Sequence, residues 1–124
     1  MFDVEGYNIR LSRGDTGAMW VDAEATLDDE PYTFAENDRA LFSIKNPNGE
    51  IIIQKQCAMT NNSFIVYFLN ADTDSLSPAD NYTWDVRYVI NPYYDANGKI
   101  VDGDQVITPK EPQTMNLLTV VGDV

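Results

Sequence analysis

The sequence carries no recognisable arrangement of catalytic residues, and its many carboxylates are numerous enough to pair by chance. It contains no histidine, which removes the most common general base, proton shuttle and zinc ligand. Its single cysteine, Cys57, follows the apolar run 51–53 in a segment with strand character, and cysteine is among the most frequently buried residue types. No nucleophile elbow, P-loop or dinucleotide-binding motif occurs. The sequence therefore predicts a protein that is not an enzyme and uses no cofactor, with Cys57 as a buried, unreactive thiol.

Oxygen-bearing side chains are spaced through the segment 91–109, at Asp95, Asn97, Asp102 and Asp104. Calcium prefers oxygen ligands on flexible turns, so these residues form a weak candidate calcium site. Their spacing differs from that of an EF-hand, and the closing glutamate of that motif is missing. The alternative is a long, solvated hairpin loop whose turn is Asn97-Gly98.

Other residues are suited to contacts with a partner. Tyr93 and Tyr94 lie in the same loop, where tyrosines either bind a partner at low entropic cost or fold over the end of the domain. Trp20 falls on the polar side of its strand, which favours an exposed anchor. The candidate interaction residues are Trp20, Ile52, Ile65, Tyr67, Tyr93 and Tyr94.

The runs 51–53 and 64–69 are apolar at consecutive positions, whereas a strand with one solvent face alternates. Either the domain covers both faces of these strands, or the second face contacts an oligomer partner. The second alternative predicts self-association or docking through these faces.

The charge balance limits the class of partner. The chain has 20 acidic and 8 basic residues and a net charge of −12. Nucleic acids and anionic membranes bind clustered Lys and Arg, so neither is expected as a partner. The segment after Met1 has no basic region followed by an apolar run, and no apolar stretch has the length of a membrane span. We therefore expect synthesis and folding in the cytoplasm, where one cysteine forms no intrachain disulfide.

Strands must position these residues. Apolar residues alternate with polar ones in several segments: Tyr7, Ile9, Leu11; Met19, Val21, Ala23, Ala25; Ala40, Phe42, Ile44; and Tyr82, Trp84, Val86, Tyr88, Ile90. A type I turn is predicted at 46–49, a final strand at 115–121 and at most one helical turn at 71–76. The chain has no internal repeat. Residues 1–124 are predicted to form one all-β domain, an immunoglobulin-like β-sandwich of about seven antiparallel strands.

One local pattern favours the immunoglobulin-like type. The turn 79–81 leads into a strand whose first inward residue is Tyr82. This arrangement resembles a tyrosine corner, in which the hydroxyl bonds to upstream backbone. Trp84 then takes the place of the disulfide cysteine of antibody domains and fills the core with its indole. The alternative is an ordinary amphipathic strand with two core aromatics.

The segments 14–16, 37–49, 72–76 and 81–86 together resemble small immunoglobulin-like domains of phage and prophage tail and baseplate proteins. The likeness is to the N-terminal domain of baseplate upper proteins in particular, and it covers most of 5–121. It implies an assembly role without a cofactor, with other virion or tail proteins, or copies of the chain itself, as partners. The sequence departs from a full baseplate upper protein by ending at Val124, without a coiled-coil or receptor-binding part.

The alternative function is a bacterial cell-surface or carbohydrate-binding β-sandwich with Trp20, Tyr93 and Tyr94 as sugar platforms. Clustering of these aromatics on one exposed face would favour carbohydrate binding. Their separation across the molecule would favour assembly.

Overall fold

A computed structural model of the chain describes residues 2–6, 8–78, 80–107 and 116–121. This part contains strands and one short helix, in chain order β1 (Phe2–Glu5), β2 (Asn8–Ser12), β3 (Gly17–Asp22), β4 (Thr26–Leu27), β5 (Glu30–Pro31), β6 (Arg39–Lys45), β7 (Ile51–Ala58), β8 (Ser63–Phe68), α1 (Asn70–Asp74), β9 (Tyr82–Tyr94), β10 (Ile100–Ile107) and β11 (Asn116–Val121). The predictions that concern Tyr7, Ala79 and 108–115 lie outside the described residues.

The larger sheet has seven strands, six of them in the order β1-β2-β11-β9-β6-β7. β9 pairs with β6 along one edge and divides its other edge between β11, at 82–84, and β10, at 88–94. These pairings are antiparallel, whereas β2 and β11 pair in parallel, with Ile9 opposite Leu118. Strands from the start and the end of the chain therefore lie side by side.

The smaller sheet of the sandwich consists of β3 and β8, which are antiparallel, and β4 pairs with β5 in a separate two-stranded sheet. The inner face of the smaller sheet packs on the larger sheet, with the ring centroids of Phe42 and Phe68 5.7 Å apart. The ring centroids of Trp84 and Phe42 are 5.4 Å apart, and both side chains belong to one buried core. The chain thus folds as the predicted all-β sandwich. It has more strands than predicted, and one pairing is parallel where antiparallel strands were expected.

The predicted turn at 46–49 is confirmed. The Gly49 N–H donates to the Asn46 carbonyl at 2.9 Å, and Gly49 has a φ of +81°, which favours glycine. The Asn46 side-chain oxygen accepts hydrogen bonds from the N–H groups of Asn48 and Glu50. These contacts close the hairpin between β6 and β7.

The expected loop at 91–109 is mostly strand in its described part. β9 continues to Tyr94, β10 begins at Ile100, and the turn between them is closed by hydrogen bonds between Asp95 and residues 97–99. Alternation did not predict the end of β9 because this end runs past β6, which stops opposite Val89. Pro92 is tolerated there, where no β6 residue pairs with β9.

The short helix is confirmed near the predicted turn, and it holds two distant segments together. The Thr73 hydroxyl donates to the Asp15 carbonyl at 2.6 Å, and the Asn70 amide donates to the Gly14 carbonyl at 2.8 Å. Thr73 is fully buried. The helix therefore joins the loop after β2 to the segment that leads into β9.

Tyr82 makes the contact predicted for it. The Ser77 N–H donates to the Tyr82 hydroxyl at 2.8 Å, so the hydroxyl is bonded to upstream backbone as expected. Tyr82 and Trp84 are both buried in the core, at 4% and 6% exposure. The strand β9 thus begins with a tyrosine that fixes the preceding loop to the core.

Candidate interaction surfaces

Three of the predicted interaction residues lie together on the outer face of the smaller sheet. Trp20 in β3 is opposite Ile65 in β8, and Tyr67 is two residues further along β8. Side chains in these relations are neighbours on one sheet face. Trp20 is 65% exposed and Tyr67 59%, while Ile65 is half-buried. We call Trp20, Ile65 and Tyr67 the outer patch.

The outer patch explains the apolar run at 64–69. Phe64, Val66 and Phe68 point into the core, whereas Ile65 and Tyr67 point outward. Within the described residues, no further layer covers this outward face. Among the described residues, the domain thus covers only the inner face of β8.

Ile52 lies apart from the outer patch. The register of β6 with β7 shifts so that Ile44 is opposite Ile53 and Lys45 is opposite Ile51, which leaves Ile52 as the additional residue of a β-bulge. Ile51 and Ile52 are both exposed. They belong to the edge strand of the larger sheet, so the two apolar runs do not form one surface.

Tyr93 and Tyr94 are in the β9–β10 hairpin, each 47% exposed. The Tyr93 hydroxyl donates a hydrogen bond to Asp104 on β10, and this bond raises the pKa of Tyr93. The same bond, with a second one from Asn91, lowers the pKa of the Asp104 carboxyl. Tyr93 is therefore held against its own hairpin, while Tyr94 is the less constrained of the two.

The candidate calcium residues are not brought together as a cation site. The Asp95 carboxylate accepts hydrogen bonds from backbone N–H groups within its turn, and Asp102 accepts one from Gly103. Asp104 is bonded to Tyr93 as described. Within the described residues, no group of three or more His, Cys, Asp or Glu side chains could hold a metal ion. These acidic side chains thus act as local hydrogen-bond acceptors.

A groove on the outer face of the larger sheet was not predicted. The β9–β10 hairpin bends over this face, and the Gln56 amide holds it by bonds to the Gly98 carbonyl (3.0 Å) and the Ile100 N–H (2.7 Å). The groove is lined by residues from four strands, including Leu41, Arg87, Val89 and Val106. The sequence signal for this groove was that Leu41 in β6 and Val89 in β9 are apolar at outward positions. Alternation alone predicts that such positions face solvent.

Cys57 is buried opposite Ala40, and burial raises the pKa of its thiol to about 11, although nearby Lys55 acts in the opposite direction. The thiolate is the reactive form, so we expect the native protein to resist iodoacetamide at pH 8 and to react fully in urea. The alkylation rate of the folded protein should rise as the pH approaches about 11, because the thiolate fraction of Cys57 then increases. Mass spectrometry of the alkylated protein measures this, and rapid native labelling at pH 8 would contradict the buried assignment.

Comparison with protein-family models, curated proteins and solved structures finds no match for the chain. Among the described residues, no helix is long and apolar enough to cross a membrane. A functional proposal therefore depends on the fold and on the surfaces described above.

Proposed function

We propose that this protein is a non-enzymatic, immunoglobulin-like structural module that docks on neighbouring proteins of an assembly through the outer patch, and that the assembly is a phage or prophage tail or baseplate. The observation that carries the proposal is the outer patch itself. An exposed tryptophan and an exposed tyrosine are diagonal neighbours on a sheet face that no other described residue range covers. Such aromatic residues are the most frequent energetic anchors of protein interfaces.

The immunoglobulin-like assignment is supported by the strand order. In an immunoglobulin-like domain, β7, β6 and β9 would be strands C′, C and F, and β10 and β11, which share one edge of β9, would together be strand G. β3 and β8 would be strands B and E, and the observed strand order is compatible with this assignment. The hydrogen bond from the Ser77 N–H to the Tyr82 hydroxyl is the kind of contact that a tyrosine corner makes, which supports the proposal.

The distribution of aromatic residues favours assembly over carbohydrate binding. Trp20 is on the outer face of the smaller sheet, whereas Tyr93 and Tyr94 are in a hairpin of the larger sheet. A sugar ring needs aromatic platforms on one face, and these three residues do not share one. The resemblance of the segments 14–16 and 72–76 to tail proteins supplies the kind of assembly, and the two segments contact each other through the hydrogen bond from the Thr73 hydroxyl to the Asp15 carbonyl.

The test is whether the protein is part of a tail particle. Particles from an induced culture of the encoding bacterium would be purified by density gradient and labelled with antibody and gold for electron microscopy. We expect label at one end of the tail. Protein that remains wholly outside the particles would contradict the proposal, and retention on polysaccharide instead would favour the carbohydrate alternative.

A double variant, Trp20→Ala with Tyr67→Ala, tests the outer patch itself. Truncation of an interface anchor typically costs about 2 kcal/mol or more, so we expect about 30-fold less variant in purified particles. Tyr94→Ala is the matched control because it removes an exposed aromatic side chain from the other sheet. Circular dichroism should be unchanged in both variants, and equal incorporation of both would count against the outer patch.

A further inference from the structure

One edge of β8 has main-chain groups that no described residue pairs with. β8 pairs with β3 alone among the described strands. Ser63 exchanges two backbone hydrogen bonds with Thr60, at 2.8 and 3.0 Å, so the main-chain groups of Ser63 point away from β3. Because these groups alternate in direction along a strand, the N–H and C=O groups of Ile65 and Tyr67 point to the same side. No bond within the described residues satisfies them.

This edge lacks the features that normally prevent strands from pairing with other molecules. Natural edge strands carry charged residues, proline or bulges. β1 carries Asp3 and Glu5, and β7 carries Lys55 and the bulge at Ile52. By contrast, β8 contains no charged residue, proline or glycine. Residues 56–71 are the longest uncharged run of the chain.

The exposed edge and the outer patch coincide. Ile65 and Tyr67, whose outward main-chain groups have no partner in the described part of the chain, also contribute side chains to the outer patch. A strand added at this edge would therefore form hydrogen bonds with β8, and its alternate side chains would extend the outer patch. Strand addition of this kind takes its affinity from the main chain and its specificity from the side chains.

We propose that β8 of a second copy of this chain occupies the edge, antiparallel and related by a two-fold axis through Val66. Ile65 would then lie opposite Tyr67 of the second copy, and each such pair would exchange two hydrogen bonds. The contact is self-complementary, as a two-fold interface requires. Two chains of net charge −12 repel each other, and a surface strand without carboxylates is where they approach at least cost. This inference rests on the proposed function, because it names a partner of the same face.

Sedimentation equilibrium from micromolar to millimolar concentration tests the proposal. We expect the wild type to be dimeric at the upper end. Ile65→Lys places two lysines near the two-fold axis and should weaken dimerisation about 100-fold, since juxtaposed like charges cost several kcal/mol. Val101→Lys is the matched control, because Val101 is an exposed β10 residue on the other sheet, and it should dimerise like the wild type. A wild type that is monomeric at millimolar concentration would overturn the proposal.

Amide hydrogen exchange separates edge pairing from contact through another face, and it needs no variant. The N–H groups of Ile65 and Tyr67 should exchange more slowly as the protein concentration rises, while that of Val101 should not change. If the protein dimerises but the N–H groups of Ile65 and Tyr67 still exchange at the monomer rate, the dimer does not form through the edge of β8. Particle association is a separate measurement. If the protein dimerises but is absent from tail particles, the proposed function is overturned and the pairing of β8 with β8 stands. If the protein is monomeric but bound to particles, the pairing is overturned and the proposed function stands.

Discussion

Asp38→Ala should lower the free energy of unfolding by about 3–5 kcal/mol, because it removes a buried carboxylate that joins two parts of the chain. Asp38 is 1% exposed. It accepts hydrogen bonds from the Tyr32 hydroxyl and the Ala35 N–H, both at 2.7 Å, and from the Asn91 N–H at 3.1 Å. Alanine would remove the acceptor that these three donors share, and with it the link between the segment 32–35 and Asn91. Urea unfolding with linear extrapolation measures the change.

Two variants serve as references for Asp38→Ala. Asp38→Asn keeps one acceptor oxygen and should cost less than the alanine variant. Asp74→Ala removes an exposed carboxylate that lies 3.7 Å from Arg13, and such surface pairs contribute little, so its effect should stay within about 0.5 kcal/mol. If Asp38→Ala and Asp74→Ala had equal effects, Asp38 would not hold the fold as described.

Trp84→Ala should cost about 3–5 kcal/mol, the range for truncating a large buried aromatic side chain. Trp84 lies at the centre of the larger sheet, opposite Ile44 on one side and Asn116 on the other. Its ring packs on Phe42, so alanine would leave a cavity between the two sheets. Thermal and urea unfolding would both detect the loss.

Trp20→Ala is the matched control for Trp84→Ala, because it makes the same chemical change at a residue that is 65% exposed. It should alter the free energy of unfolding by no more than about 0.5 kcal/mol. The native fluorescence of Trp20→Ala should shift to shorter wavelength, since only the buried Trp84 remains. A large destabilisation by Trp20→Ala would mean that the outer patch is part of the folded core.

Alternation predicted the faces of β3, β6 and the first half of β9, because each of these strands has one face on the core and one face outward. The exposure of Trp20 follows from the same rule. Alternation fails where the outward face of a strand is also covered by another segment. Val89 is buried on the outward face of β9 because the β9–β10 hairpin bends over it. Nothing local in the sequence encodes that bend, which depends on the amide of Gln56 from another strand.

Asp38 was beyond sequence reasoning for a related reason. Twenty carboxylates look alike in the sequence, and the partner that distinguishes this one, Asn91, is 53 residues away. The local signals at turns were more informative. Asn46 and Gly49 each have a definite role within one turn, so their positions predicted both the hydrogen bonds and the hairpin.

The parallel pairing of β2 with β11 has a mechanical consequence. Phe2 lies opposite Leu11, and Leu11 lies opposite Val120, so both ends of the described chain are at the same end of the sandwich. Tension applied through these ends would first peel β1 from β2, one residue pair at a time. The load would then pass to β2 and β11, which would be pulled past each other along their length, so that their hydrogen bonds would be strained together. The domain would thus extend slightly under weak force and then resist as a unit.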